Sequence, residues 1–160
     1  MTTAVSNYYT TQITHIGSGA SMAANKISVS TDISTALSST NHYDWPKADI
    51  QLYFQHSSSL SSLSNMIALY RRDINFDSSA GDEGILDTVT SNFYKAKYVG
   101  AFIASHKNAT TASNTPYSQY AQLTDVPLAR ECEFYIENAT NATINAGWTL
   151  KVIPKTDAVN

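Results

Sequence analysis

Apolar and polar residues alternate along much of this chain. In KADIQLYFQ, Ala48, Ile50, Leu52 and Phe54 fall on one face and Asp49, Gln51, Tyr53 and Gln55 on the other, the period of two expected of a half-buried strand. NMIALYRRDINF continues the alternation, with Ile67, Leu69 and Arg71 opposite Met66, Ala68, Tyr70 and Arg72, and runs into the acidic, glycine-containing loop DSSAGDEG. KYVGAFIAS is apolar on both faces, which predicts a strand covered on both sides at the centre of the fold. YSQYAQLTDVPL predicts a strand that Pro127 interrupts or confines to an edge. RECEFYIEN and GWTLKVIP, joined by ATNATINA with turn-forming Asn138, Asn141, Asn145 and Gly147, predict a hairpin. Cys132, Phe134 and Ile136 then face inward on one arm and Trp148, Leu150 and Val152 on the other, and Pro154 ends the sheet.

The remaining segments are less regular. ANKISVSTDIS, continuing to Leu37, predicts one or two short strands, and residues 41–46 a loop anchored by Trp45. The serine-rich stretch between His56 and Asn65 fits either one helical turn, through Leu60 and Leu63, or a loop. Residues 1–20 end in Gly17-Ser18-Gly19-Ala20, a joint that predicts an N-terminal arm or an edge strand. About eight short strands separated by turn signals predict an all-β fold, a single jelly-roll or Greek-key sandwich over residues 21–160.

Composition narrows the function classes. At 160 residues the chain is long enough for one core, and its single cysteine, Cys132, forms no internal disulfide. No basic segment followed by an apolar run opens the chain, so a cytoplasmic origin is expected. No stretch approaches the roughly 20 apolar residues of a membrane span. Charged residues are only 14% and the net charge is -3, so a nucleic-acid footprint is not expected.

Candidate chemistry is sparse. Asp73, Asn75 and Asp77 alternate like calcium ligands, but Ser78 stands where an EF-hand loop needs glycine, and Glu83 comes one place before the position of its closing glutamate. His15, His42, His56 and His106 lack metal-ligand spacing and are expected as polar loop or strand-end residues. No serine sits in an activated context. Neither catalysis nor a cofactor is expected. Tyr8, Tyr9, Tyr53, Tyr117 and Tyr120 are the candidate interface residues, because their rings suit contacts with protein or sugar.

ALYRRDINFD, FYKAKYVGAFIAS and LTDVPLARECEFYIENATNATINAGWTLKVIPKT resemble segments of small virion proteins encoded among the structural genes of tailed bacteriophages. The resemblance spans residues 65 to 155 and rests on strand-and-turn patterns. It implies a non-catalytic jelly-roll cement or decoration protein on the capsid surface, assembled in the host cytoplasm. It also implies the major capsid protein as partner and a homotrimer as the oligomer. A tail or receptor-binding component and a carbohydrate-binding module, with Trp45 and the tyrosines stacking on sugar rings, are the competing expectations.

Overall fold

The computed structural model describes residues 5–42, 45–58, 60, 65–74, 97–104 and 118–159. These form eight strands: β1 (Val5–Tyr9), β2 (Ile13–Gly19), β3 (Lys47–Gln55), β4 (Met66–Asp73), β5 (Lys97–Ile103), β6 (Ser118–Pro127), β7 (Cys132–Asn138) and β8 (Trp148–Val159). One helical turn, α1 (Ser39–His42), precedes β3. All pairings are antiparallel. The larger sheet runs β1-β8-β3-β6 with β2 also on β8, and the smaller runs β5-β4-β7.

The chain passes back and forth between the two sheets. From β2 it enters residues 22–37, which bridge the free edge of β7 at Ile27–Glu137 and Leu37–Cys132. It returns to the larger sheet as β3, forms β4 and β5 in the smaller, and then alternates through β6, β7 and β8. With residues 22–37 as the outermost element on β7, this is the jelly-roll order, and the fold is an all-β sandwich. The predicted short strands over residues 27–37 are single bridges around a 3-10 turn at Ser30–Asp32.

One core joins the sheets. Ala48, Ile50, Leu52 and Phe54 of β3 meet Ile67 and Leu69 of β4, Phe134 and Ile136 of β7, and Trp148, Leu150 and Val152 of β8. The alternation read in β3, β7 and β8 thus faces inward as expected.

Four expectations are corrected. The segments around β7 and β8 do not form a hairpin, because β7 pairs with β4 and β8 with β3, in different sheets. Residues 139–147 cross between them, with Ile144 bridged to both Met22 and His56. Pro154 does not end the sheet, because β8 continues to Val159. Its carbonyl accepts the Thr10 N–H at 3.0 Å, so its missing N–H faces the β1–β2 link and breaks no rung with β3. Among the described residues β5 pairs with β4 alone and so lies at the end of its sheet rather than at the centre, and Ile103 is exposed. Finally, Gly17 to Gly19 belong to β2, paired with β8, and are no free joint.

The free edge of β7 is closed by side chains as well as backbone. The Phe134 N–H donates to His15 Nε2 at 3.0 Å, and His15 Nδ1 lies 2.7 Å from the Thr35 carbonyl. A carbonyl only accepts, so the ring is the Nδ1–H tautomer. Ser28 Oγ accepts the Ile136 N–H at 3.1 Å.

Candidate functional site

The outer face of the larger sheet carries Tyr53 and Tyr120. Tyr53 of β3 and Tyr120 of β6 are cross-strand partners, with ring centres 4.9 Å apart and planes at 51°. Both stay exposed, at 40% and 50%. The Lys151 ammonium lies 5.3 Å from the Tyr53 ring centre, and the Tyr120 hydroxyl donates to Gln122. A cleft of about 180 Å³ opens beside Tyr53, lined also by Gln55, Ala146, Gly147 and Trp148.

Tyr9 does not join this pair. Tyr9 pairs with Lys155, whereas Tyr53 pairs with Thr149, a separation of roughly 20 Å along β8. Tyr8 lies on β1 opposite Thr156, and Tyr117 lies outside the described residues. Trp45 is eight positions before Tyr53, roughly 25 Å along an extended chain, so the two do not form one sugar platform.

Near Tyr9 the same face holds a cluster of ions. The buried Lys155 ammonium contacts Asp49 Oδ1 at 2.6 Å and Asp125 Oδ1 at 3.1 Å, and Lys47 contacts Asp125 at 2.8 Å and Asp157 at 2.6 Å. A bulge in β6 makes this possible: Thr124 and Asp125 lie between the Ala48–Val126 and Ile50–Leu123 pairs, opposite Asp49 alone. Asp125 takes φ +57 there, and its N–H donates to Asp49. Burial alone would lower the Lys155 pKa, but Asp49 and Asp125 raise it. Lys47, hydrogen-bonded first to Asp125 and then to Asp157, is also raised.

The outer face of the smaller sheet carries residues that sequence reasoning missed. Met66 pairs with Ile103, Ala68 with Ala101, and Tyr70 with Tyr98. Met66, Tyr98 and Ile103 are 40%, 58% and 65% exposed. This apolar strip lies on β5 and its neighbour. Its signal was present in the two-faced apolar pattern of KYVGAFIAS, read there as burial. Beside the strip the Tyr70 hydroxyl donates to Glu137; burial and that carboxylate push its pKa up to about 12.

Of the metal and nucleophile candidates, Asp73 and Cys132 are described, and both sit in structural roles. Asp73, at the end of β4, receives Arg71 Nε and Lys97 Nζ, each at 2.7 Å. Burial would raise its pKa, but these two cations hold it below the ordinary value. Asn75 and Asp77 lie outside the described residues. Among those residues no group of three His, Cys, Asp or Glu side chains is placed to hold a metal. Cys132 is buried, which pushes its thiol up to about 11. Of the histidines expected at loops or strand ends, His42 closes α1 and His56 follows β3, whereas His15 lies within β2; all three are buried. His106 lies outside the described residues.

Compared with protein-family models, curated proteins and solved structures, the chain matches none. Its function is therefore argued from its own surfaces. The third of these is a cleft of about 420 Å³ between the α1–β3 and β6–β7 connections, lined by His42, Trp45, Pro46, Leu128, Ala129 and Arg130.

Proposed function

We propose that this chain is a non-enzymatic structural protein of a virus particle, a cement or decoration protein that binds the shell of major capsid protein and stabilises it. The observation that carries the reading is the exposed strip of Met66, Tyr98 and Ile103 on the outer face of the smaller sheet. Large apolar side chains left exposed on the last strand of a sheet offer a place for a partner to dock. Few charges and a rigid sandwich suit adhesion to a repeated, shallow surface, where modest contacts add up through multivalency. The major capsid protein is proposed as partner because it is the one the virion-protein resemblance of residues 65 to 155 implies.

The test is sedimentation of the purified chain with empty shells of major capsid protein. Co-sedimentation at a fixed number of copies per shell, lost in Ile103→Glu, is expected. Retention of full binding by that variant overturns the strip as the contact. The trimer implied by the resemblance is checked by the molar mass of the free chain in solution.

The Tyr53–Tyr120 pair and its adjoining cleft favour a second reading, a carbohydrate-binding module, since tilted rings beside amide side chains suit a sugar. Binding to a glycan array that Tyr120→Ala abolishes would favour it over the first.

A further inference from the structure

We propose that Asp49 and Lys155 become joined by an intramolecular amide bond, Lys155 Nζ to Asp49 Cγ, formed once in each chain with loss of one water. The ion pair between them is then the precursor of a covalent link between β3 and β8. The proposal is independent of what the chain binds.

The site is built from two residue types that are almost never fully buried unless paired. Lys155 and Asp49 are only 3% and 5% exposed. Lys155 of β8 lies opposite Lys47 of β3, and Asp49, two positions along, projects from the same face and is its diagonal neighbour. The ammonium stands 2.6 Å from Asp49 Oδ1, which brings the nitrogen close to the carboxyl carbon. Two reactants held in contact by a sheet react as one molecule, and such placement removes a large part of the barrier to condensation. Burial excludes the water that would reverse the step. The product carries no charge, whereas each buried ion bears a desolvation cost.

Asp125 supplies the third part. The bulge in β6, with Asp125 at φ +57, turns both its N–H and its carboxylate toward the pair. The N–H donates to Asp49 Oδ1 at 3.2 Å, where it would stabilise the negative charge that develops on that oxygen during attack. Asp125 Oδ1 lies 3.1 Å from Lys155 Nζ, within reach of the protons that this nitrogen must give up.

The Nζ–Cγ bond forms and the Cγ–Oδ2 bond breaks. Lys155 gives up two of its three ammonium hydrogens, Asp125 passes them to Oδ2, and Oδ2 leaves with them as water. Ammonium and carboxylate become a neutral amide, Asp125 ends unchanged, and nothing is oxidised or reduced. Asp49 and Asp125 favour the charged form of Lys155, but a reaction that happens once per chain needs only a small neutral fraction at any moment.

The test is the intact mass of the purified full chain, followed by tryptic digestion. The chain is expected to be lighter than its sequence by one water, about 18 Da. The digest should contain a branched peptide joining residues 48–71 to residues 152–160, because trypsin does not cut after an acylated lysine. Lys155→Arg should show its full sequence mass. Asp125→Asn, at a side chain that is 57% exposed, should fold and remain largely uncondensed. A parent chain that keeps its full mass after a week at neutral pH would overturn the proposal, as would a water loss confined to a linear peptide, the mark of a cyclised aspartate. Complete condensation in Asp125→Asn would overturn the part given to Asp125. Mass decides where stability does not, since Asp49→Ala removes the ion pair and the amide alike.

Discussion

Gly19 of β2 lies against the indole of Trp148 on β8. A Cβ at Gly19 would stand 1.9 Å from Trp148 Cε2 and 2.4 Å from Nε1. The indole cannot retreat freely, because its N–H donates to the Ala20 carbonyl at 2.8 Å and the ring is buried in the core. Gly19→Ala is expected to destabilise the fold by about 3 kcal/mol, the upper end of overpacking effects. At Gly17 a Cβ would meet Ser34 Oγ at 3.2 Å, so Gly17→Ala should have a clearly smaller effect. Urea denaturation of both variants makes the comparison.

Phe134 and Trp148 face each other's sheets across the core and are almost completely buried. Truncating either to alanine should reduce stability by about 3 to 5 kcal/mol. A loss under about 1 kcal/mol would place the ring outside the core.

Acid is expected to weaken the fold. Burial lowers the pKa of His15, against the opposing effect of the Thr35 and Phe134 carbonyls beside the ring, and burial also lowers that of His56. The unfolded chain binds a proton at each near pH 6.5, while the folded chain resists it. The unfolded state therefore takes up more protons in acid. Stability from these groups is full above about pH 7 and declines as the pH falls through 6.5, by at most about 1.4 kcal/mol per pH unit for each histidine. Thermal unfolding at pH 7.5 and pH 5 should show the loss, and a His56→Leu variant should lose less. An equal loss in that variant would remove His56 as a cause.

Asp49→Ala should destabilise the chain by about 2 to 3 kcal/mol at neutral pH, because the buried Lys155 ammonium loses its buried carboxylate and, among the described residues, keeps the exposed Asp125 as its ion-pair partner. Chemical denaturation measures it. The effect should persist in high salt, since buried pairs are poorly screened.

Ile103→Glu should leave stability within about 0.5 kcal/mol of the parent, as for most exposed positions, while removing shell binding. Thermal unfolding and sedimentation separate the two effects.

The period of two in residues 47–55 was enough to place β3 and its buried face, and the same local logic placed Phe134, Ile136, Trp148 and Leu150 inward, because alternation reports which side chains share one face of a strand. Fold class followed, since the sum of such segments with turns between them has few compact solutions. Alternation carries no information about partners. The chain around Asn138 to Gly147 contains turn residues compatible with a hairpin, yet the bridges of Ile144 to Met22 and His56 carry it across to the other sheet. KYVGAFIAS has apolar residues on two faces, but only the Phe102 side meets the core, and what lies over Ile103 depends on neighbours far away in sequence. The buried histidines follow the same rule, because His15 is held by Thr35, 20 positions away, and by Phe134, 119 positions away. By itself the sequence determined the strands, their inward faces and the all-β class. Pairing, edges and exposed surfaces were decided by tertiary structure, because they depend on which distant segments exclude water from each face.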